Sequence, residues 1–407
     1  MVARMSKIDP IGPGGKPGSL AIGSIGLALA LMLAACTGAL RAAGPAGSQM
    51  HTAQPLQRDR MFIIGQDLGS LRGYFASRCC LVPDAVTEYV DLYELRSPQN
   101  DYGGLGIDVR GRPVALDRDV GGGAMNAYRS GTEFGVSGLV LGVSITENDH
   151  PGALARLIAG DYDAEIRQLE VLIGRHHGTT YLRIGYEFDG AWNKGYENAK
   201  QYIAAYRRIV DLVRRQDAEK VQFVWQASAS SVDDVIDHGH ENIRDWYPGD
   251  EYVDWMAFSW FMHPDAKIGV ASSYQPATPG QLADELVAFA RERHKPVMVA
   301  ESAPQAYDLK ARTRARHASI WDGPSHTDIE QLGDDQIWGS WFQPMFDYIS
   351  GRSDVIRGLA YINCNWDAQS MWGPPYANGY WGDSRLETNP ELARRFSAAV
   401  RRWRERP

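Results

Sequence analysis

Along the chain, short and nearly continuous apolar runs alternate with longer segments whose apolar residues recur every three or four positions. The short runs, at 61–65, 87–92, 137–145, 180–187, 221–228, 253–261, 296–302 and 359–366, read as strands buried on both faces, the mark of a parallel sheet. Between them, residues 163–178 start at Asp163, carry Ile166, Leu169, Leu172 and Ile173 at helical spacing, and stop at Gly178. Segments 196–218 and 279–295 repeat that pattern. About eight strands in alternation with helices predict an α/β chain folded as one (β/α)8 (TIM) barrel, beginning near Met61. Residues 97–126 break the rhythm. Dense in Gly, Asp and Pro, they are too long for a plain connection and read as a βα-loop excursion on the barrel's functional rim.

Before Met61 the pattern changes. Arg4, Lys7 and Lys16 precede the apolar run 19–36, which is too short and too rich in Gly and Ala for a membrane span and reads as a targeting segment. Its end, Leu33-Ala34-Ala35-Cys36, resembles the lipobox of bacterial lipoproteins, which implies lipidation of Cys36; the alternative is a secretory signal with a chance cysteine. Residues 37–58 read as a flexible tether, so the expected division is signal peptide 1–36, linker 37–58 and barrel 59–407. The expectation is an exported protein, anchored by lipid to the membrane on the extracytoplasmic side of the cell envelope. Export permits disulfides, and a bridge from Cys79 or Cys80 to Cys364 is expected because the first and last units of a closed barrel are neighbours.

Bulk properties narrow the function classes. With 407 residues, 44% hydrophobic and 23% charged, the chain has ample material for a large core. A net charge of -8 and the lack of any basic stripe argue against a nucleic-acid partner. The ten His residues show no zinc-type spacing, so neither metal nor cofactor is expected, and the expected state is a monomer.

The candidate chemistry lies at strand ends. In Tyr181–Glu187, alternation puts Arg183, Gly185 and Glu187 on one face and Leu182, Ile184 and Tyr186 on the other. With the first set toward the lumen, Glu187 ends the fourth strand at the C-terminal rim, where barrels carry their active sites. The same reading puts Val297, Val299 and Glu301 on the inward face of the seventh strand. Two inward carboxyl groups at one rim suit glycoside hydrolysis, provided that their environments separate their pKa values. The bland alternative is that each Glu caps a helix or pairs with an arginine. Arg183 serves either reading, as the buried partner of Glu301 or as a purely structural ion pair.

With an acid/base Glu at the end of strand four and a nucleophile Glu at the end of strand seven, the chain resembles the retaining clan A glycoside hydrolases, and within them glycoside hydrolase family 26, the β-mannanase family. The residues that carry the resemblance are Arg183 four positions before Glu187, the DGAWN stretch after it, KPVMVAES around Glu301, and WGDSRLETNPEL near the C-terminus. It extends over about Met61 to Arg401 and is strongest from 180 to 305. It implies the barrel and a double-displacement mechanism, with Glu187 as proton donor and Glu301 as nucleophile. It does not extend to mannan: Tyr186 stands where the family has His, and Trp192 stands where mannanases carry paired Trp.

Aromatic and amide residues near the strand ends complete the expectation. Tyr186, Trp192, Trp225, Trp260 and Trp366 offer flat faces for pyranose rings, while Asn193, Gln226, Asn363 and Asn365 are candidates to bond hydroxyls; Arg183 is counted with the substrate-binding set. Phe261, Trp372, Tyr376, Tyr380 and Trp381 add further rings. The function expected is endo-acting hydrolysis of a β-linked polysaccharide such as mannan, xylan or glucan. The competing reading is a non-catalytic carbohydrate-binding barrel of the cell envelope.

Overall fold

The structure, a computed structural model, describes residues 60–217, 219–230, 242–266, 277–317 and 326–406. The signal, the tether and Cys36 lie outside the described residues. Eight parallel strands close into a barrel: β1 (Met61–Gly65), β2 (Ala85–Asp91), β3 (Gly138–Ser144), β4 (Thr179–Ile184), β5 (Val221–Ala227), β6 (Trp255–Trp260), β7 (Val297–Ser302) and β8 (Ile356–Ile362). Strand β1 closes the ring by pairing with both β8 and β2. The (β/α)8 reading holds, with most strand boundaries moved by one or two residues and those of two strands by more. Strand β4 stops at Ile184, before Glu187, and the eighth strand starts and ends earlier than 359–366.

Period-two alternation sorts side chains into two cores. Met61, Ile63, Ala85, Val140, Tyr181, Val224, Trp255, Ala257, Met298, Ala300 and Ala360 fill the lumen. The intervening residues, among them Phe62, Leu182, Ile184, Phe223, Trp225, Phe258, Trp260 and Leu359, pack outward with the helices. Strand β7 corrects the expected phase. Val297 and Val299 belong to the outer core, and Glu301 reaches the lumen because the β6–β7 register slips between the pairs Phe258/Val299 and Ser259/Glu301. The bulge takes up one residue, Ala300, and re-aims the next side chain.

The helices follow their predicted faces. Asp163–Arg175 starts with Asp163 and Glu165, ends with Arg175, and buries Ile166, Leu169, Leu172 and Ile173, so charge complements the helix dipole while the apolar stripe meets the barrel. Ala199–Asp217 occupies the second predicted segment. Pro279–Glu292 is held by a capping box of Thr278 and Gln281 with Pro279 in its first turn. At the end opposite the mouth, Arg60 donates to the carbonyls of Arg404, Arg406 and Ser353 and ties the chain's entry to the last helix, Pro390–Arg404.

The 97–126 segment does run between a strand and its helix, Ala127–Glu133, at the C-terminal rim. It folds over the β1 and β8 ends, with Leu68 N–H donating to Ala124 O and Met371 N–H to Gly121 O. Asp108 and Asp117 pair with Arg112 and Arg129, so these acids are structural. A small sheet is added beside the mouth, built from Tyr307–Asp308, Thr313–His317 and Thr327–Gln331, which follow β7, and Gly382–Asp383, which follows β8.

The expected disulfide is not formed: Cys79, Cys80 and Cys364 are free thiols. Cys79 and Cys80 follow the helix Leu68–Ser77 on the way to the start of β2, whereas Cys364 lies just past the C-terminal end of β8. First and last units are neighbours around the barrel, yet these residues occupy its opposite ends. No helix among the described residues is long and apolar enough to cross a membrane, and no group of three or more His, Cys, Asp or Glu among them is placed to hold a metal ion.

Candidate active site

Three lumen-facing positions at the C-terminal ends of β4, β5 and β6 build the floor: Arg183, Gln226 and Ser259. All three are buried. Arg183 is fully enclosed, its guanidinium 4.8 Å from the Tyr89 ring centre and 5.3 Å from that of Tyr186. Gly142 on β3 makes this possible, since a Cβ there would approach Arg183 Nη2 to 2.9 Å and Tyr89 Cδ1 to 2.6 Å. A buried cation needs a partner, and Nη1 donates to Glu301 Oε1 at 2.5 Å and to Gln226 Oε1 at 2.9 Å, while Nη2 reaches Thr87 Oγ1 at 3.3 Å. Arg183 is therefore a support for Glu301. Its enclosure corrects the expectation that it contacts substrate.

Glu301 uses one oxygen for this network. Arg183 and the Gln226 amide, 3.3 Å away, both donate to Oε1, and Oε2 takes no hydrogen bond among the described residues. A salt bridge on one edge leaves the other oxygen available to react.

Glu187 reaches the mouth by a different route from the one expected. Beyond Ile184 the backbone turns, with Gly185 at φ +54° and Glu187 at φ +52°, so strand alternation ends there. As a result Tyr186 also turns inward, over Arg183, instead of packing with Leu182 and Ile184. A side chain at Gly185 would strain this turn and meet the Tyr202 ring at 2.7 Å. Asn193 holds the turn by donating to Glu187 O at 2.8 Å and to Tyr186 O at 3.3 Å. Asn148 Nδ2 donates to Trp192 O at 3.0 Å, so the loop after β3 steadies the loop that carries Trp192.

Neutral donors surround the Glu187 carboxyl. Ser259 Oγ donates to Oε1 at 2.6 Å and Trp192 Nε1 to Oε2 at 3.1 Å. Burial, then the negative charge of Glu301, pushes its pKa up to about 8, against the opposing pull of those two donors. The two carboxyl groups thus sit in one hydrogen-bonded network with opposite surroundings: a cation beside Glu301, and only uncharged donors on Glu187.

Four further expectations are corrected. Trp225 is fully buried, stacked on Phe188 at 4.5 Å, and Trp260 packs against Tyr348 at 4.7 Å in the outer core. Each neighbours a lumen-facing residue in sequence and so faces the helices. Gln226 and Asn363, read as hydroxyl binders, are buried; the first holds the carboxylate network and the second donates to Glu387 at 2.9 Å. Tyr186 and Trp192 remain half-exposed beside Glu187. Trp366 is nearly enclosed, its indole donating to Ser384 Oγ at 3.0 Å, and it backs the half-exposed Trp381 at 4.9 Å and Trp372 at 5.5 Å. Half-exposed Phe261 joins from the β6 side, 4.9 Å from Trp381. Asn365 is half-exposed beside this cluster and bridges to Asp383. Sequence reasoning missed Ser259, Thr87, Tyr89 and Gly142. Alternation along β6 and β2 was the available signal for the first three, because Trp255, Ala257 and Ser259 share a face, as do Ala85, Thr87 and Tyr89.

Comparison with known proteins adds an independent line. Residues 143–288 match the model of glycosyl hydrolase family 26. Two curated relatives are β-1,3-xylanases: TXYA of a Vibrio species, 29% identical over 338 residues, and one of an Alcaligenes species, 28% identical over 334 residues. They cover 83% and 82% of this chain, which in turn spans 64% and 61% of their lengths. Among solved structures, a Bacteroides ovatus family 26 β-mannanase aligns with a TM-score of 0.49 at 12% identity, over 84% of this chain and 89% of that one. A modular Cellulomonas fimi endo-β-1,4-mannanase aligns with a TM-score of 0.46 at 12% identity, over 84% and 70% respectively. The chain is thus a closed parallel (β/α)8 barrel that is similar to glycosyl hydrolase family 26 over residues 143–288 and to β-1,3-xylanases over 82–83% of its length.

Proposed function

We propose that this protein is a retaining, endo-acting β-glycanase, with β-1,3-xylan as its leading substrate. The observation that carries the reading is the split environment of the two carboxyl groups, Glu301 against Arg183 and Glu187 among neutral donors. Glu301 Oε2 attacks the anomeric carbon as the glycosidic C–O bond breaks, and the Glu187 proton passes to the leaving oxygen. Glu187, now a carboxylate, takes a proton from water, whose oxygen attacks the same carbon and releases Glu301. Negative charge that leaves Glu301 in the first step lowers the pKa of Glu187 and suits it to the second role.

Half-exposed rings on both sides of the carboxyl pair support internal cleavage of a chain, with Tyr186 and Trp192 toward β4 and Phe261, Trp372 and Trp381 toward β8. The xylan assignment follows the named activity of the curated relatives. Export and a lipid anchor at Cys36 belong to the same proposal and place the enzyme where polysaccharide is met.

The test is hydrolysis of β-1,3-xylan, with β-1,4-xylan, mannan and β-glucans in parallel, products sized and the anomer formed first identified by NMR. Glu187→Gln and Glu301→Gln are each expected to lower kcat on polysaccharide by about 10³-fold or more while the fold persists. Full activity in either variant, or first release of the inverted anomer, would overturn the mechanism. Sugar binding without turnover on every polymer would favour the binding-barrel reading.

A further inference from the structure

Arg183 sets the direction of the hydrogen bonds that lead from Glu301 to Ser259. A guanidinium has donors and no acceptor, so Gln226 must present its carbonyl Oε1 to Arg183 Nη1, at 2.9 Å. That leaves the amide Nε2, which only donates, toward Ser259 Oγ at 3.1 Å and Glu301 Oε1 at 3.3 Å. Ser259 therefore accepts from Gln226, and its single proton is committed to Glu187 Oε1 at 2.6 Å. Both oxygens of Glu187 accept, Oε1 from the Ser259 hydroxyl at 2.6 Å and Oε2 from the Trp192 indole at the longer 3.1 Å. The more firmly held Oε1 stays the acceptor, so a proton on the carboxyl belongs on Oε2, beside the half-exposed Trp192 ring.

We propose that Ser259, aligned by Arg183 and Gln226, is a positioning residue that fixes which oxygen of Glu187 carries the transferable proton. The inference rests on the assignment of Glu187 as acid/base and deepens it. Ser259 touches neither substrate nor the bonds that change; it acts through Glu187. The register slip in β6–β7 places it directly opposite Glu301, and it is 3% exposed, so bulk water does not compete for its hydroxyl. The direction of the relay also survives the chemistry. When Glu301 forms an ester through Oε2, its Oε1 still accepts from Arg183 and Gln226, and Ser259 still donates to the Glu187 carboxylate that must act as base.

The experiment compares Ser259→Ala, Ser259→Cys and Ser259→Thr with the unaltered chain, by pH profiles of kcat/KM on polysaccharide and on an aryl glycoside whose leaving group needs no protonation, such as dinitrophenol. Loss of the donor destabilises the Glu187 carboxylate, so the alkaline limb of Ser259→Ala moves up by about one pH unit. Its kcat/KM on polysaccharide falls about 10–100-fold near neutrality, while the dinitrophenyl glycoside loses less than about threefold. Thr restores the limb, and Cys, a weaker donor, gives an intermediate shift and stands in if the Ala variant fails to fold. An unmoved limb, with equal losses on both substrates, would reduce Ser259 to packing and overturn the proposal. That result with inactive Glu187→Gln and Glu301→Gln variants removes the relay and leaves the enzyme reading intact; full activity in Glu187→Gln removes both.

Discussion

Glu187 and Glu301 differ in what surrounds them, and that difference is a property of single residues. The acid role needs a proton retained near neutral pH, and burial together with the Glu301 charge raises the Glu187 pKa to about 8. Activity that depends on the protonated form is full below that value and lost as pH rises through it. The alkaline limb of kcat/KM is therefore expected near pH 8, and a Glu301→Gln variant, which removes the neighbouring negative charge, should show residual activity or a spectroscopic titration of Glu187 at lower pH. An alkaline limb near pH 5 would contradict the assignment. The same residues show what a sequence can disclose. Two Glu near strand ends and the Arg four positions before one of them were legible, because residue type and spacing in the chain need no coordinates. The inward turn of Tyr186 was not, because it depends on left-handed backbone at Gly185 and Glu187.

At the scale of a strand, one residue of phase decides whether a tryptophan meets sugar or core. Trp225 lies between lumen-facing Val224 and Gln226, so its ring packs on Phe188 and Phe289. Trp225→Ala is expected to cost about 3–5 kcal/mol of stability with KM unchanged in whatever protein remains folded. Trp381→Ala, on the half-exposed cluster over β8, is expected to raise KM several-fold with a stability loss below about 2 kcal/mol. Urea unfolding and kinetics on the two variants check this, and a KM effect from Trp225 would restore it to the cleft. Strand β7 teaches the same lesson from the other side. Glu301 faces the lumen through a bulge, and a strict period-two reading reached the right residue with the wrong partners, Val297 and Val299.

Across the molecule, barrel closure sets what is near and what is far. The mouth gathers β4, β5, β6 and β7 residues that are up to 118 positions apart in sequence, as in the Arg183–Glu301 pair. The opposite end holds Arg60, the last helix and exposed Cys79. Cys364 is buried just past the C-terminal end of β8. A thiol reagent should therefore label Cys79 quickly in the native protein and leave Cys364 unmodified until unfolding, and reductant should leave Tm unchanged. A reductant-sensitive Tm would revive the disulfide expected from sequence.

The chain by itself determined the alternation of strand and helix, the barrel it implies, and the two carboxyl groups with an arginine at their side, because hydrophobic period and residue type are local quantities. Only the tertiary structure decided which ring faces water, that Gln226 and Ser259 link the carboxyl groups, and that the cysteines lie at opposite ends. Those outcomes depend on strand register, on a bulge and on backbone turns, which are settled by contacts between segments far apart in the chain.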